Sequence, residues 1–298
     1  MTLLALLPHM GLDGYRLRLL SLVFMWAALA GSWNLMSGYT GYIDFGPVAY
    51  FGAGAYALAI FMIHGGLPFW PSLAFAGIFC ALLALGIGWA TLRIRGAYFA
   101  IATFAAAEAL KQISLEWDRV AGVEFFGGSH GLTLPPPPSG EFFYYLLLGF
   151  MSLVTGVSLF FERSKFGYGL KAIRGSEQAA ELSGVPTFSL KVRAYILSSA
   201  LIGCLGGIEA YWLTYIIPDD VFNVMRTIQM VVMTLMGGMG TLPGPTIGAA
   251  FLTLAAEFLG ARFVYDYLTL LGIVIIVVIL LLPRGVMSLV KKGRGSGQ

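Results

Sequence analysis

Apolar runs of about twenty residues recur from residue 17 to residue 283, and this recurrence restricts the chain's possible folds more than any other feature. A helix needs about 20 predominantly apolar residues to cross the hydrocarbon core of a bilayer. Such runs fall at 17–36, 40–63, 70–92, 96–115, 142–161, 192–213, 225–240, 244–260 and 263–283. They predict an all-α polytopic membrane protein with about nine transmembrane helices. No soluble stretch longer than about thirty residues separates them. A single transmembrane domain over 1–298 is therefore expected, with no room for a separate catalytic domain. The two shortest runs flank GGMGTLPGP at 237–245, whose Gly and Pro residues predict two helices joined by a tight turn.

Composition agrees. Hydrophobic residues make up 58% of the chain and charged residues 11%, with a mean hydropathy of +0.82. Soluble domains carry roughly a quarter charged residues. The formal charge of +3 is small, so nucleic acid is not an expected partner. Cys80 and Cys204 each sit inside an apolar run, which leaves no basis for a disulfide framework or a metal site. The start, MTLLALLPHM, lacks a basic region and an A-x-A cleavage site and makes a poor signal peptide.

Lys and Arg concentrate in cytoplasmic loops of membrane proteins. With 162–193 inside, Arg163, Lys165, Lys171, Arg174, Lys191 and Arg193 lie there. Counting crossings adds Arg93, Arg95, Arg284, Lys291, Lys292 and Arg294 to the same side. The opposite side receives Glu116, Asp118, Glu124, Glu141, Asp219 and Asp220, with Arg119. Arg16 and Arg18 are the exception, since nine crossings with a cytoplasmic C-terminus leave them outside. The stretch 116–141, with PPPP at 135–138, is too polar and Pro-rich to cross and reads as an outer polyproline spacer.

The stretch FGYGLKAIRGSEQAAELSGV at 166–185 interrupts this apolar background. It parses as two short helices. Leu170 and Ile173 share a face, Gly175 ends the first helix, and Ser176 caps a second whose first turn carries Glu177. Gly184 and Pro186 close it. Small residues Ala172, Ala179 and Ala180 leave the backbone approachable. A rigid basic knob with one apolar edge suits another protein's groove; a solvated loop is the competing reading.

No G-x-x-x-x-G-K-S/T sequence occurs, and GGMGT has no Lys for a phosphate, so the chain cannot hold ATP in a P-loop of its own. His9, His64 and His130 are scattered, with no H-E-x-x-H, G-x-S-x-G or helically spaced carboxylate pair. The expectation is a transport subunit, not an enzyme, with no metal and no cofactor of its own.

The segment SKFGYGLKAIRGSEQAAELSGVPTFSLKVRAYILSSALIGCLGGIEA closely resembles the cytoplasmic coupling segment, and the helix after it, of branched-chain amino acid ABC importer permeases. Three further blocks agree: NLMSGYTGYIDFGPVAYFGAGAYA at 34–57, RIRGAYFAIATFAAAEAL at 93–110 and GGMGTLPGPTIGA at 237–249. Their form favours the LivM branch over its LivH sister. The resemblance covers roughly residues 20–286. It implies the ABC importer permease fold, in a bacterial cytoplasmic (inner) membrane, embedded in lipid. It implies a LivH-like second permease, LivG-like and LivF-like ATPase subunits that bind the ATP, and an extracytoplasmic solute-binding protein. Residues 164–184 would receive the ATPase stroke, through Gly169, Lys171, Arg174, Glu177, Ala179, Ala180, Glu181 and Gly184. Family members usually begin with a full hydrophobic helix ahead of residue 17; restoring it gives ten crossings with both termini inside. The family usually has a small polar residue at Asp44. Branched-chain amino acids are the expected cargo, with urea or short amides as the alternative. An autonomous channel or ion-coupled carrier is the competing class.

Polar residues inside apolar runs are costly and are functional suspects. Asn34, Asp44 and Glu108 stand out, with Gly46 and Pro47 marking a helix break beside Asp44 where a gate could form. A carboxylate on the path could meet the ammonium group of an amino acid. Lys111, three residues from Glu108, offers a local ion pair instead. Glu209 and Glu257 read as wet, near the outer interface. Two glycine groups, 41–54 and 203–207, read chiefly as close helix-packing surfaces.

Overall fold

A computed structural model describes residues 13–121 and 130–263, together with Pro8, Gly127 and positions 272–273, 276–277 and 280. The helices are α1 (Gly14–Trp33), α2 (Pro47–Ile63), α3 (Phe69–Thr91), α4 (Ala97–Ala121), α5 (Gly140–Arg163), α6 (Lys165–Gly175), α7 (Glu177–Leu182), α8 (Thr187–Leu213), α9 (Pro218–Val221), α10 (Val224–Gly237) and α11 (Gly244–Arg262). Helix α1 continues through a π-helical turn, Asn34–Gly38. Strands β1 (Leu132–Thr133) and β2 (Tyr215–Ile216) pair antiparallel.

Eight of the nine expected helices occur among the described residues, and the ninth, 263–283, lies mostly outside them, as do residues 1–7 and 9–12. Among the described residues five helices are long and apolar enough to cross a membrane: Gly14–Gly38, Phe69–Thr91, Gly140–Arg163, Thr187–Leu213 and Gly244–Arg262. Helix α2 has 17 residues and α10 has 14, and at 1.5 Å per residue both fall short of a hydrocarbon core about 30 Å thick. Around 237–245 two separate helices flank a turn, as the Gly and Pro residues predict.

The chain divides into two compact units. The first draws on residues up to Asn34, Ser139–Arg163 and residues from Gln229 onward. There α1 packs on α5, with the Phe24 and Tyr144 rings edge to face at 5.3 Å. The turn between α10 and α11 is fastened by the Asn34 side chain, which accepts from the Gly240 N–H at 2.8 Å and donates to the Thr241 carbonyl at 3.1 Å.

The second unit spans Leu35–Pro138 and Ser164–Ile228. Its centre is α2, buried from Pro47 through Ala59 and packed against α8 and α3. The two glycine groups prove to be each other's partners. A Cβ on Gly54 would strike the Gly203 carbonyl, and one on Gly206 would strike the Phe51 carbonyl. Backbone this close requires side chains of almost no bulk. Because the obstacle is main chain rather than a rotatable side chain, Gly206→Val is expected to cost about 3 kcal/mol. The check is a lower unfolding temperature of the purified protein in detergent. Helix α3 exposes Ile78 and Leu82, with Trp70 and Trp89 near its two ends, the arrangement of a lipid-facing helix with interfacial anchors.

The expected outer spacer differs from its reading. Helix α4 continues through residues 116–121, and residues 132–134 are tied to the end of α8. The ladder pairs Leu132 with Ile216 and Thr133 with Tyr215, while the Leu134 N–H donates to the Thr214 carbonyl at 2.8 Å. The Tyr211 hydroxyl donates to the Pro136 carbonyl at 3.4 Å.

Candidate functional site: a charged two-helix segment and its anchor

Residues 164–184 fold as two short helices because each start supplies its own cap. The Ser164 hydroxyl accepts from the Gly167 N–H at 3.2 Å, and the Ser176 hydroxyl accepts from the Ala179 N–H at 3.3 Å. Both orphaned turns thereby gain a partner. Gly184 takes φ = +80°, the left-handed value that ends α7. Leu170, Ile173 and Ala180 are buried. Gly169 admits α8, since a Cβ there would lie 2.6 Å from Leu190 Cδ1.

Most of the segment's charges are engaged within the chain. Lys191, counted above as a loop charge, lies inside α8 and is only 3% exposed. Its ammonium donates to Glu177 Oε1 at 2.6 Å, the Leu92 carbonyl at 3.0 Å and the Tyr42 hydroxyl at 3.1 Å. The Tyr42 hydroxyl donates in turn to Glu177 Oε2. Arg95 reaches Glu177 at 3.3 Å and Glu181 at 3.2 Å, and the Thr187 hydroxyl donates to Glu181 at 2.9 Å. A buried ammonium with three oxygen partners is a satisfied charge, and removing one partner strands the rest.

Arg174 extends this anchor to the break between α1 and α2. Its guanidinium donates to the Gly38 carbonyl at 2.8 Å. Its side chain also lies against Gly41, where φ is +78° and an added Cβ would lie 3.1 Å from Arg174 Cγ. Residues 41–46 are non-helical, and the preceding turn is π-helical, a form often found at functional sites. Lys171 is exposed, with its ammonium 5.6 Å from the Tyr39 ring and 5.9 Å from that of Tyr168. The outward surface comprises Ala179, Gln178, Ser183 and above all Leu182, which is 91% exposed.

Burial alone would push the Glu177 carboxyl up, but Lys191, Tyr42 and Arg95 together outweigh it and hold the group below its ordinary 4.5. A depressed carboxylate adds stability that is complete above its unfolded pKa and is lost as pH falls through the folded one. The α6–α7 segment is therefore expected to stay docked at neutral pH and to come loose only at acid pH, below the ordinary glutamate value of 4.5. Limited proteolysis at 164–184 across that range tests this.

The residues singled out as a gate or path have local roles in the structure. Asp44 is 5% exposed; its carboxylate accepts from the Gly46 N–H at 2.8 Å, and its own N–H donates to the Ser37 hydroxyl at 3.2 Å. Gly46 precedes α2 and Pro47 occupies its first turn. Asn34 fastens the α10–α11 turn. Glu108 accepts from Gln112 at 3.0 Å, and the expected Glu108–Lys111 pair does not form, because Lys111 reaches Asp219 at 2.8 Å. Glu209, read as wet, is 8% exposed and pairs with Arg226 at 2.8 Å. Glu257 accepts from the Tyr15 hydroxyl at 2.8 Å. Lys191, Tyr42, Arg95 and Leu182 were absent from the sequence-based candidates. The signal for Lys191 was available, since a basic residue in the first turns of a long apolar helix calls for an acidic partner.

Long apolar helices flanking a capped, charged segment that is anchored at a helix break define a multi-span membrane permease. The particular relationship follows from comparison. Residues 15–281 match the family described as branched-chain amino acid transport system, permease component. The chain belongs to that family. It is 24% identical over 297 residues to the high-affinity branched-chain amino acid transport system permease protein LivM of Escherichia coli (strain K12), covering 91% of this chain and 69% of that protein. The protein of the same name from Salmonella typhimurium (strain LT2) is also 24% identical over 297 residues, covering 89% and 69%. No solved structure matches the chain.

Proposed function

We propose that this chain is a membrane-spanning permease subunit of an ATP-driven importer for branched-chain amino acids, in a bacterial inner membrane. Family membership over residues 15–281 supports the transport role. The observation that carries the mechanism is the anchoring of α6–α7 at the break between α1 and α2, through Arg174–Gly38, Glu177–Tyr42 and Glu177–Lys191. In this reading LivG-like and LivF-like ATPase subunits bind ATP and push on the 164–184 segment. A LivH-like permease completes the pathway, and an extracytoplasmic binding protein delivers the solute. Lys171, Gly175 and Ala179 belong to the surface the ATPase meets, with Leu182 as its apolar anchor. Gly169, Ala180 and Gly184 set the segment's shape, while Arg174, Glu177 and Glu181 convey its movement. A cavity of about 590 Å³ lined by Tyr42, Ile43, Arg95, Arg174 and Glu177 gives the segment room to move. Displacing it pulls on Gly38 and Tyr42, and so on the backbone on either side of Asp44.

Proteoliposomes holding the chain with its partner subunits test this. Leucine uptake is expected to require both internal ATP and external binding protein, with urea not transported. Leucine flux through the chain alone, driven by an ion gradient, would overturn the proposal.

A further inference from the structure

Within the first unit, α1, α10 and α11 line an open cavity of about 540 Å³, inside the size range of small-molecule sites. Its wall is amphipathic. Trp26, Met233 and Leu252 supply a broad apolar surface, while Tyr15, Thr253 and Glu257 bring polar groups to it. Among the described residues no Lys, Arg or His lines it, and Glu257 is the one charged side chain there. Glu257 lies five residues before the end of α11 at Arg262, in the last part of a helix of membrane-spanning length.

Two features of this cavity are unusual for a merely structural cleft. Glu257 takes part in none of the ion pairs formed among the described residues. Its hydrogen bond comes from the neutral Tyr15 hydroxyl at 2.8 Å. Carboxylates within membrane-spanning helices are rare and normally pair with a cation or serve a function. One helical turn away, Thr253 is 9% exposed, and its buried hydroxyl makes no hydrogen bond among the described residues. A helical threonine ordinarily satisfies that hydroxyl on the carbonyl four residues back. Thr253 and Glu257, four apart, share a helix face.

We propose that this cavity binds a zwitterionic aliphatic amino acid, with Glu257 receiving its ammonium group and Trp26, Met233 and Leu252 enclosing its branched side chain. On ligand binding the buried Thr253 hydroxyl turns into the cavity and donates to the ligand carboxylate. A negative site without a basic residue repels anions, and its apolar wall has nothing to offer a small amide such as urea. The inference rests on the importer reading above and adds a solute site within the permease itself.

The assembled complex in nanodiscs, with its binding protein, provides the test, using a diazirine-bearing leucine analogue and mass spectrometry of the labelled peptides. Label is expected on the peptides carrying Trp26, Met233 or residues 252–257. Excess leucine should remove it, and excess urea should not. Glu257→Gln keeps the shape and the Tyr15 hydrogen bond while deleting the charge. It should cut both the competable label and the maximal leucine uptake about tenfold or more, with ATP hydrolysis retained. Tyr15→Phe removes a hydrogen bond from the cavity wall and keeps the charge, so it should lower the competable label and the uptake less than Glu257→Gln does. A structural role for the Tyr15–Glu257 contact predicts the reverse order. Wild-type complex that imports leucine but shows no competable label on these peptides, or Glu257→Gln with unchanged uptake, overturns the site alone. Wild-type complex that does not import leucine overturns the importer reading instead.

Discussion

Lys191→Met is expected to destabilise the protein by about 3–5 kcal/mol and to abolish transport, because it leaves Glu177 half-buried without its main counter-charge. Lys191 is buried and holds Glu177, Tyr42 and the Leu92 carbonyl at once, so α6–α7 and the end of α3 lose a shared anchor. Deleting both charges together has a different result. Glu177→Gln combined with Lys191→Met removes the stranded charge, and pairs replaced by neutral groups of similar size are often tolerated. The double variant should recover most of the lost stability and little of the transport. Unfolding of the four proteins in detergent gives the double-mutant cycle, and a coupling energy below about 0.5 kcal/mol would show the pair to be independent.

Leu182→Asp should weaken ATPase binding by about thirtyfold or more while leaving the fold intact. A side chain that is 91% exposed contributes nothing to the chain's own core. An apolar anchor at the centre of an interface is worth about 2 kcal/mol or more. Co-purification with the ATPase, alongside the unfolding temperature of the variant, separates the two effects. Arg174→Glu with Glu181→Arg is a poorer probe of docking. Arg174 holds Gly38, and Glu181 holds Arg95 and Thr187, so that pair of changes loosens the segment from its own scaffold as well.

Local chemistry was legible in the sequence where residues a few positions apart decide the outcome. Ser176 capping α7 and Gly184 ending it are such cases, as is the turn that separates α10 from α11. The small-residue surfaces were also legible, though not the fact that Gly54 meets Gly203, because nothing in a one-dimensional pattern pairs two similar stripes. The errors share one cause. Chain neighbours alone offer Lys111 to Glu108 and water to Glu209. The actual partners, Asp219 for Lys111 and Arg226 for Glu209, arrive from α9 and α10. A charge pairs with whichever opposite charge the fold delivers, and sequence distance has no bearing on that. Asp44 was noticed for its charge, whereas its place is explained by the bond it accepts from Gly46 two residues on.

The π-helical turn at Asn34–Gly38 has a mechanical consequence. Such a turn stores one residue more than an ordinary helical turn in the same ladder. Releasing that residue would rotate the following side chains by about 100° and slide them about 1.5 Å along the axis. Tyr39 and Tyr42 follow directly, and both touch the charged segment. A small push there could be converted into a discrete ratchet step instead of a graded bend.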